Sequence, residues 1–247
     1  MNKFFKAAIA AAALTAAPAA YAQDEESSDF TITGNVSLTS QYRLRGISQT
    51  EEDLAIQGGM TVSHSSGFYV GTWGSNLSGF GSFGGSNMEL DLIAGFAKEV
   101  APGVTLDGSF IYYVYPGTSG TDFFDLSAAV SFPLGPVKAK VAALYAPDND
   151  ALGGNDNLWV YTDLAFPIAD TPITLKGHIG YTDGALGGPD GTYLDYAVGV
   201  DIAIKNLTLN VSYIDTDISA QDVIVNGWGG THDIVDGAIV GTLTASF

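Results

Sequence analysis

The 247-residue chain contains no cysteine. This excludes a disulfide framework and any thiolate-held metal. Basic residues are scarce as well: nine Lys plus Arg stand against 27 Asp plus Glu, for a formal net charge of -18. Arg43 and Arg45 are the only arginines. A chain this acidic does not bind nucleic acid through its phosphates. Charge of either sign makes up 15% of the residues, where an average domain carries about 25%. A sparse charged surface suits a disordered acidic chain or one that faces lipid, and the apolar content of 46% argues against disorder. Beyond residue 22 no apolar run is long enough to span a membrane as a helix, and no helical period sustains itself.

A sorting signal opens the chain. Residues 1–22 start basic with Lys3 and Lys6, continue as an Ala-rich apolar run and end in Ala20, Tyr21 and Ala22, an A-x-A cleavage pattern. The alternative, a transmembrane anchor, needs about 20 apolar residues, and this run is shorter. The expectation is a cleaved signal peptide over 1–22, then an acidic leader over 23–29. The remaining chain keeps all 27 acids, because both basic residues of the signal and no acids are lost.

After the leader, apolar and polar residues alternate, the period of a strand with two different faces. In residues 30–44, Ile32, Val36, Leu38 and Tyr42 share one face, and Thr31, Thr33, Asn35, Ser37, Thr39, Gln41 and Arg43 share the other. Eleven further segments follow: 54–64, 67–76, 87–98, 103–115, 122–132, 136–146, 157–166, 172–182, 192–204, 207–216 and 236–247. Short connections (64–67, 99–103, 133–136, 168–172, 205–206) alternate with long ones (45–53, 77–86, 116–121, 147–156, 183–191, 217–235). Short turns on one side, longer loops on the other and an even strand count are the pattern of outer-membrane barrels. A soluble β-sandwich predicts no such alternation of loop length. The fold expected is all-β: a transmembrane antiparallel up-and-down β-barrel of about twelve strands occupying 30–247. An open sheet in lipid leaves backbone groups unpaired, so the first and last segments should pair. The last alternates Ile239, Leu243 and Phe247 against Val240, Thr242 and Ser246.

Aromatic residues mark the two ends of the segments. Strands running outward finish in Tyr42, Trp73, Tyr112, Tyr145, Tyr181 and Tyr213; strands running inward finish in Phe96, Phe132, Phe166 and Phe247. Amphipathic rings favour the headgroup level, so the expectation is a Tyr/Trp belt outside and a Phe belt inside. Trp73 has the parity opposite to Phe68 and Val70, which points to a bulge or a lumen position.

Three segments carry a family likeness: 36–50 (VSLTSQYRLRGISQT), 55–59 (AIQGG) and 67–76 (GFYVGTWGSN). In them the chain resembles the TorF family of proteobacterial porin-like proteins. The resemblance implies an outer-membrane barrel acting as a pore, and it supplies no substrate. It also implies that barrel-assembly machinery reads Phe247 as a terminal aromatic.

Parity assigns lumen-facing charges. Arg43 falls on the polar face of the first segment with Arg45 above it; Glu89, Asp91, Asp107, Asp125, Asp163, Asp195 and Asp201 face inward on later ones, with Lys138, Lys140, Lys176 and His178. Ionisable groups belong inside because the lipid face penalises them. They form either a charged constriction that filters solutes or a network that fills a narrow barrel. The two arginines, two positions apart, should share a face and either bind an anionic solute or pair with Glu89, Asp91 or loop acids. Internal pairing is favoured because acids outnumber bases.

Other chemistry is thinly supported. The loop acids Asp148, Asp150, Asp156, Asp183, Asp190, Asp215 and Asp217 match no EF-hand spacing and read better as a solvated anionic rim than as calcium ligands. His64, His178 and His232 fall at different heights, which disfavours a catalytic triad; Ser212 with His178 is the pairing left open. No phosphate-loop or dinucleotide fingerprint occurs in its strand–helix context, so no cofactor is expected. The expectation is a non-enzymatic, monomeric channel in outer-membrane lipid passing small hydrophilic solutes, mildly cation-preferring; the alternative is a non-conducting structural or surface-interaction barrel.

Overall fold

The computed structural model describes residues 28–219 and 232–247. The expected signal peptide 1–22 and most of the leader 23–29 lie outside these residues, as does 220–231 of the last long loop. Among the described residues there are fourteen strands: β1 (Phe30–Thr39), β2 (Arg43–Leu44), β3 (Ile47–Ser48), β4 (Ala55–His64), β5 (Phe68–Asn76), β6 (Met88–Ala101), β7 (Val104–Val114), β8 (Phe123–Leu134), β9 (Val137–Asn149), β10 (Asn155–Pro167), β11 (Ile173–Gly184), β12 (Thr192–Ile204), β13 (Leu207–Thr216) and β14 (Ala238–Ser246). All except β2 and β3 form one closed antiparallel barrel of twelve strands in which each neighbour in sequence is a neighbour in space.

Alternation produces this wall directly. Ile32, Val36 and Leu38 of β1, Val70 of β5, Leu92 of β6 and Ile239 and Leu243 of β14 all point outward and are exposed, as a lipid-facing surface requires. The polar residues between them turn inward. Closure gives every strand two partners, which satisfies the backbone in lipid. At the seam, β1 pairs with β14 from Asn35 opposite Ser246 to Thr39 opposite Thr242. Hydroxyls pair on the inner side of the seam: Ser37 Oγ with Thr244 Oγ1, and Thr242 Oγ1 with Thr39 Oγ1, each at 2.8 Å. Gly34 and Phe247 exchange two backbone hydrogen bonds, 2.8 and 2.9 Å. The Phe247 ring lies over Gly34, where a Cβ would come within 2.7 Å of Phe247 Cε2.

The aromatic belts are present with two displacements, Tyr42 and Trp73, both of which lie inside the barrel. At the long-loop end Tyr145, Tyr181, Tyr196 and Tyr213 are exposed on the outside; at the short-turn end Phe30, Phe68, Phe96, Phe166 and Phe247 are. Tyr42, expected in the first belt, is buried inside the barrel, because the first strand ends at Thr39 rather than running to residue 44. Loop lengths also alternate less strictly than expected. Strands β9 and β10 extend past their apolar segments, leaving a connection over 150–154 no longer than the turn over 168–172.

Candidate functional site

The lumen has two halves. Toward the short turns its wall is polar and half-exposed, with Thr61, Ser63, Asp107, Ser109, Ser131, Lys140, Asp163, Lys176 and Asn210 facing inward. Toward the long loops it is packed. There Ile111, Tyr113, Phe123, Ala142, Leu144 and Tyr161 from the wall form a buried core with Tyr42, Leu77, Tyr115 and Leu152 from the loops. Ile47, Tyr193, Ile234 and Val235 form a second buried cluster beside it.

Residues 40–54 make an inward excursion. The short β2–β3 hairpin turns through Arg45 (φ 50°) and Gly46 (φ 82°), the two positive φ values of a type I′ turn. For arginine this conformation costs roughly 1 kcal/mol. Glycine is required next to it, because a Cβ on Gly46 would lie 2.5 Å from Thr216 Cγ2. The turn carries Arg45 across the lumen. Its Nη2 donates to Asp125 Oδ2 on β8 at 3.1 Å, with side chains 4% and 0% exposed. Its guanidinium lies 5.1 Å from the centre of the Trp159 ring, and its backbone carbonyl accepts from Tyr193 Oη at 2.9 Å. We call this element the bolt.

Tyrosines complete the hold. Tyr42 Oη and Tyr115 Oη donate to the two oxygens of Glu89, at 2.8 and 2.9 Å, and Tyr113 Oη donates to Asp125 at 2.9 Å. Tyr42 packs edge-on against Trp73, 5.3 Å between centroids, so Trp73 takes the lumen position. Burial first, and Glu89 second, push the Tyr42 and Tyr115 hydroxyls well above the usual tyrosine range, which keeps them donors.

The two arginines therefore do not share a face. The left-handed turn at Arg45 breaks the alternation that placed them together. Arg43 stays with its own loop, donating to Gln41 Oε1 at 2.9 Å and to the Gly46 carbonyl at 2.8 Å, and reaching Glu52 at 3.9 Å. Glu89 and Asp91, expected as arginine partners, lie buried nearby; Glu89 receives tyrosine hydroxyls, while no described group donates to Asp91 Oδ1.

Where the two halves meet, His178 sits between Asp163 (Nδ1, 2.6 Å) and the buried Asp195 (Nε2, 2.7 Å). Asp195 also accepts from the Trp159 indole at 3.0 Å, and Trp159 stacks on Tyr161 at 4.2 Å. Lys176 pairs with Asp201 at 3.6 Å, which also accepts from Asn210 at 2.6 Å. Lys140 lies over Tyr161 at 5.3 Å, Asp107 accepts from Tyr69 Oη at 3.1 Å, and Lys138 lies exposed next to the short turn before β9. The parity-assigned charges thus divide between the bolt (Arg45, Asp125, with Glu89, Asp91 and Asp195 beside it) and the open half. The Ser212–His178 pairing does not form: Ser212 donates to Asn210 Oδ1 at 2.8 Å. Asn149 closes its own loop, accepting from the Leu152 amide and donating to the Pro147 carbonyl. Periodicity missed Tyr113, Tyr115 and Tyr193 as inward anchors. Tyr113 and Tyr115 share the parity of Asp107 and oppose Tyr112, which was the available signal.

An apolar exterior around a charged, tyrosine-lined interior defines a porin-like β-barrel. Solved porins share the fold. NanC porin superposes with a TM-score of 0.56 at 9% identity, covering 88% of this chain and 99% of its own; KdgM porin gives 0.57 at 6%, covering 87% and 98%. The chain belongs to the family described as bacterial protein of unknown function (Gcw_chp), whose model matches residues 23–247. No curated protein matches the sequence.

Proposed function

We propose that this protein is an outer-membrane channel for passive diffusion of small hydrophilic solutes, cation-preferring, and closed in the described state by the bolt. One observation carries the reading: a closed barrel keeps a polar, half-exposed lumen through its short-turn half, and the obstruction above it is completed by loop residues packed against the wall. The porin fold and the TorF-like segments agree with it. The acidic balance attracts cations toward the mouth. The experiment is planar-bilayer recording of refolded protein, wild type and with residues 41–52 replaced by a short glycine–serine link. The linked variant should conduct in larger, longer openings, with a reversal potential favouring cations. Silence from both barrels would refute the channel.

The buried apolar core in the long-loop half favours a second reading, a non-conducting barrel with a structural or surface-interaction role. That reading predicts silence from the wild type under every condition and loss of barrel stability, rather than conduction, in the linked variant.

The long loops then face the cell exterior and the short turns the periplasm, with outer-membrane lipid around a monomer. In this reading Phe247 serves assembly. Phe247→Asp should lower the yield of heat-modifiable barrel in the outer membrane, and an unchanged yield would count against that role.

A further inference from the structure

Arg45 occupies a buried site that meets its guanidinium through one donor, Nη2 on Asp125, while Nε and Nη1 find no partner among the described residues. Asp125 supplies a fully buried carboxylate, held by Tyr113 Oη at 2.9 Å. Trp159 supplies an indole face at 5.1 Å, fixed by its own hydrogen bond to Asp195 and by stacking on Tyr161. A carboxylate with an aromatic face is the pair that recognises organic cations. The site also holds more acceptor capacity than Arg45 uses: Asp125 Oδ1 and Asp91 Oδ1 are buried and accept from no described group. The occupant is tethered to a loop rather than built into the wall. Arg45 arrives through a left-handed turn between two two-residue strands, so its withdrawal leaves β8 and β10 intact. Among the described residues no three His, Asp or Glu side chains close on a metal ion, so the geometry favours an organic cation over a chelated one.

We propose that the Asp125–Trp159 site is the channel's recognition site for solutes bearing a guanidinium or alkylammonium group, and that Arg45 fills it as a tethered competitor. As a statement about transported solutes, this rests on the channel reading above. Binding of such a cation displaces the bolt, so the arriving solute and the closed state exclude each other.

The test titrates methylguanidinium into refolded protein in detergent and reads tryptophan emission, which requires no conduction. Arg45→Ala vacates the site and should bind saturably. Wild type should bind about tenfold more weakly or worse, because its own side chain competes. The double variant with Asp125→Asn should lose the response. Arg45→Lys leaves a tethered but non-planar competitor and should fall between wild type and Arg45→Ala, which gives the same ordering without the double variant. Equal affinity across wild type, Arg45→Lys and Arg45→Ala would overturn the site, as would full binding when Asp125 is neutral. In bilayers, methylguanidinium should raise the open time of wild type relative to potassium alone. A barrel that binds in this order and never conducts would refute the channel and leave the site standing. A conducting barrel without the order would do the reverse.

Discussion

The two halves of the lumen share one wall and differ in what lies inside it. The same strands supply both: Asp107 and Tyr113 lie on β7, and Lys140 and Leu144 lie on β9, all facing inward. In the short-turn half these side chains stay partly exposed and face one another; in the long-loop half they pack with the bolt. The wall therefore sets the shape of the cavity and the loops fill its long-loop half. A charged pair in the first half retains some solvent, with Lys176 and Asp201 at 17% and 10% exposure, while Arg45 and Asp125 retain almost none. Breaking a desolvated pair by removing one partner leaves a charge with no substitute for water, so the same kind of mutation should cost very different amounts in the two halves.

The sharpest test of this contrast is Asp125→Ala. It orphans the guanidinium of Arg45 and should destabilise the barrel by about 3–5 kcal/mol, read as a shift in urea-induced unfolding. If Asp125→Ala costs no more than a mutation in the open half, the packed half is wetter than described. Tyr115→Phe should cost less, about 1.5–3 kcal/mol, because one hydrogen bond to Glu89 is lost while Tyr42 still donates to the other oxygen. The double variant with Tyr42→Phe should cost more than the sum of the singles, since the carboxylate then has no donor left. The smallest effect belongs to the open half. Lys140→Ala gives up a cation–π contact on Tyr161 worth roughly 0.5–1 kcal/mol, and water replaces it. A loss there as large as at Asp125 would erase the distinction between the halves.

Much of this was legible in the residues. The two-residue period in segments such as 87–98 and 192–204 gave the wall, and parity placed Glu89, Asp91, Asp125, Asp195 and Asp201 inside without any tertiary information. Parity also put Asp163, His178 and Asp195 on a common face, though not that β10, β11 and β12 bring them within hydrogen-bond distance. What failed was continuity. Gln41, Tyr42 and Arg43 extend the alternation of β1 by chance, so the period runs on past the point where the backbone leaves the sheet. Gly46 was the punctuation mark, but a hairpin of two-residue strands is too short for periodicity to register. The partners of Arg45 come from β8, β10 and β12, far away in sequence, and only closure of the barrel sets those distances.

The bolt has a further consequence, an electrical one. Where one half of a membrane tube is wet and the other packed, a voltage applied across it falls mostly over the packed half. The Arg45 guanidinium then sits inside the field. A full elementary charge moved through it is worth roughly 2.3 kcal/mol per 100 mV, which is comparable with the hydrogen bonds that hold the hairpin. If the barrel conducts as proposed, it should therefore rectify. Voltage of the sign that drives Arg45 toward the long-loop mouth should favour opening, and the opposite sign should seat it more firmly. Arg45→Gln should flatten that asymmetry.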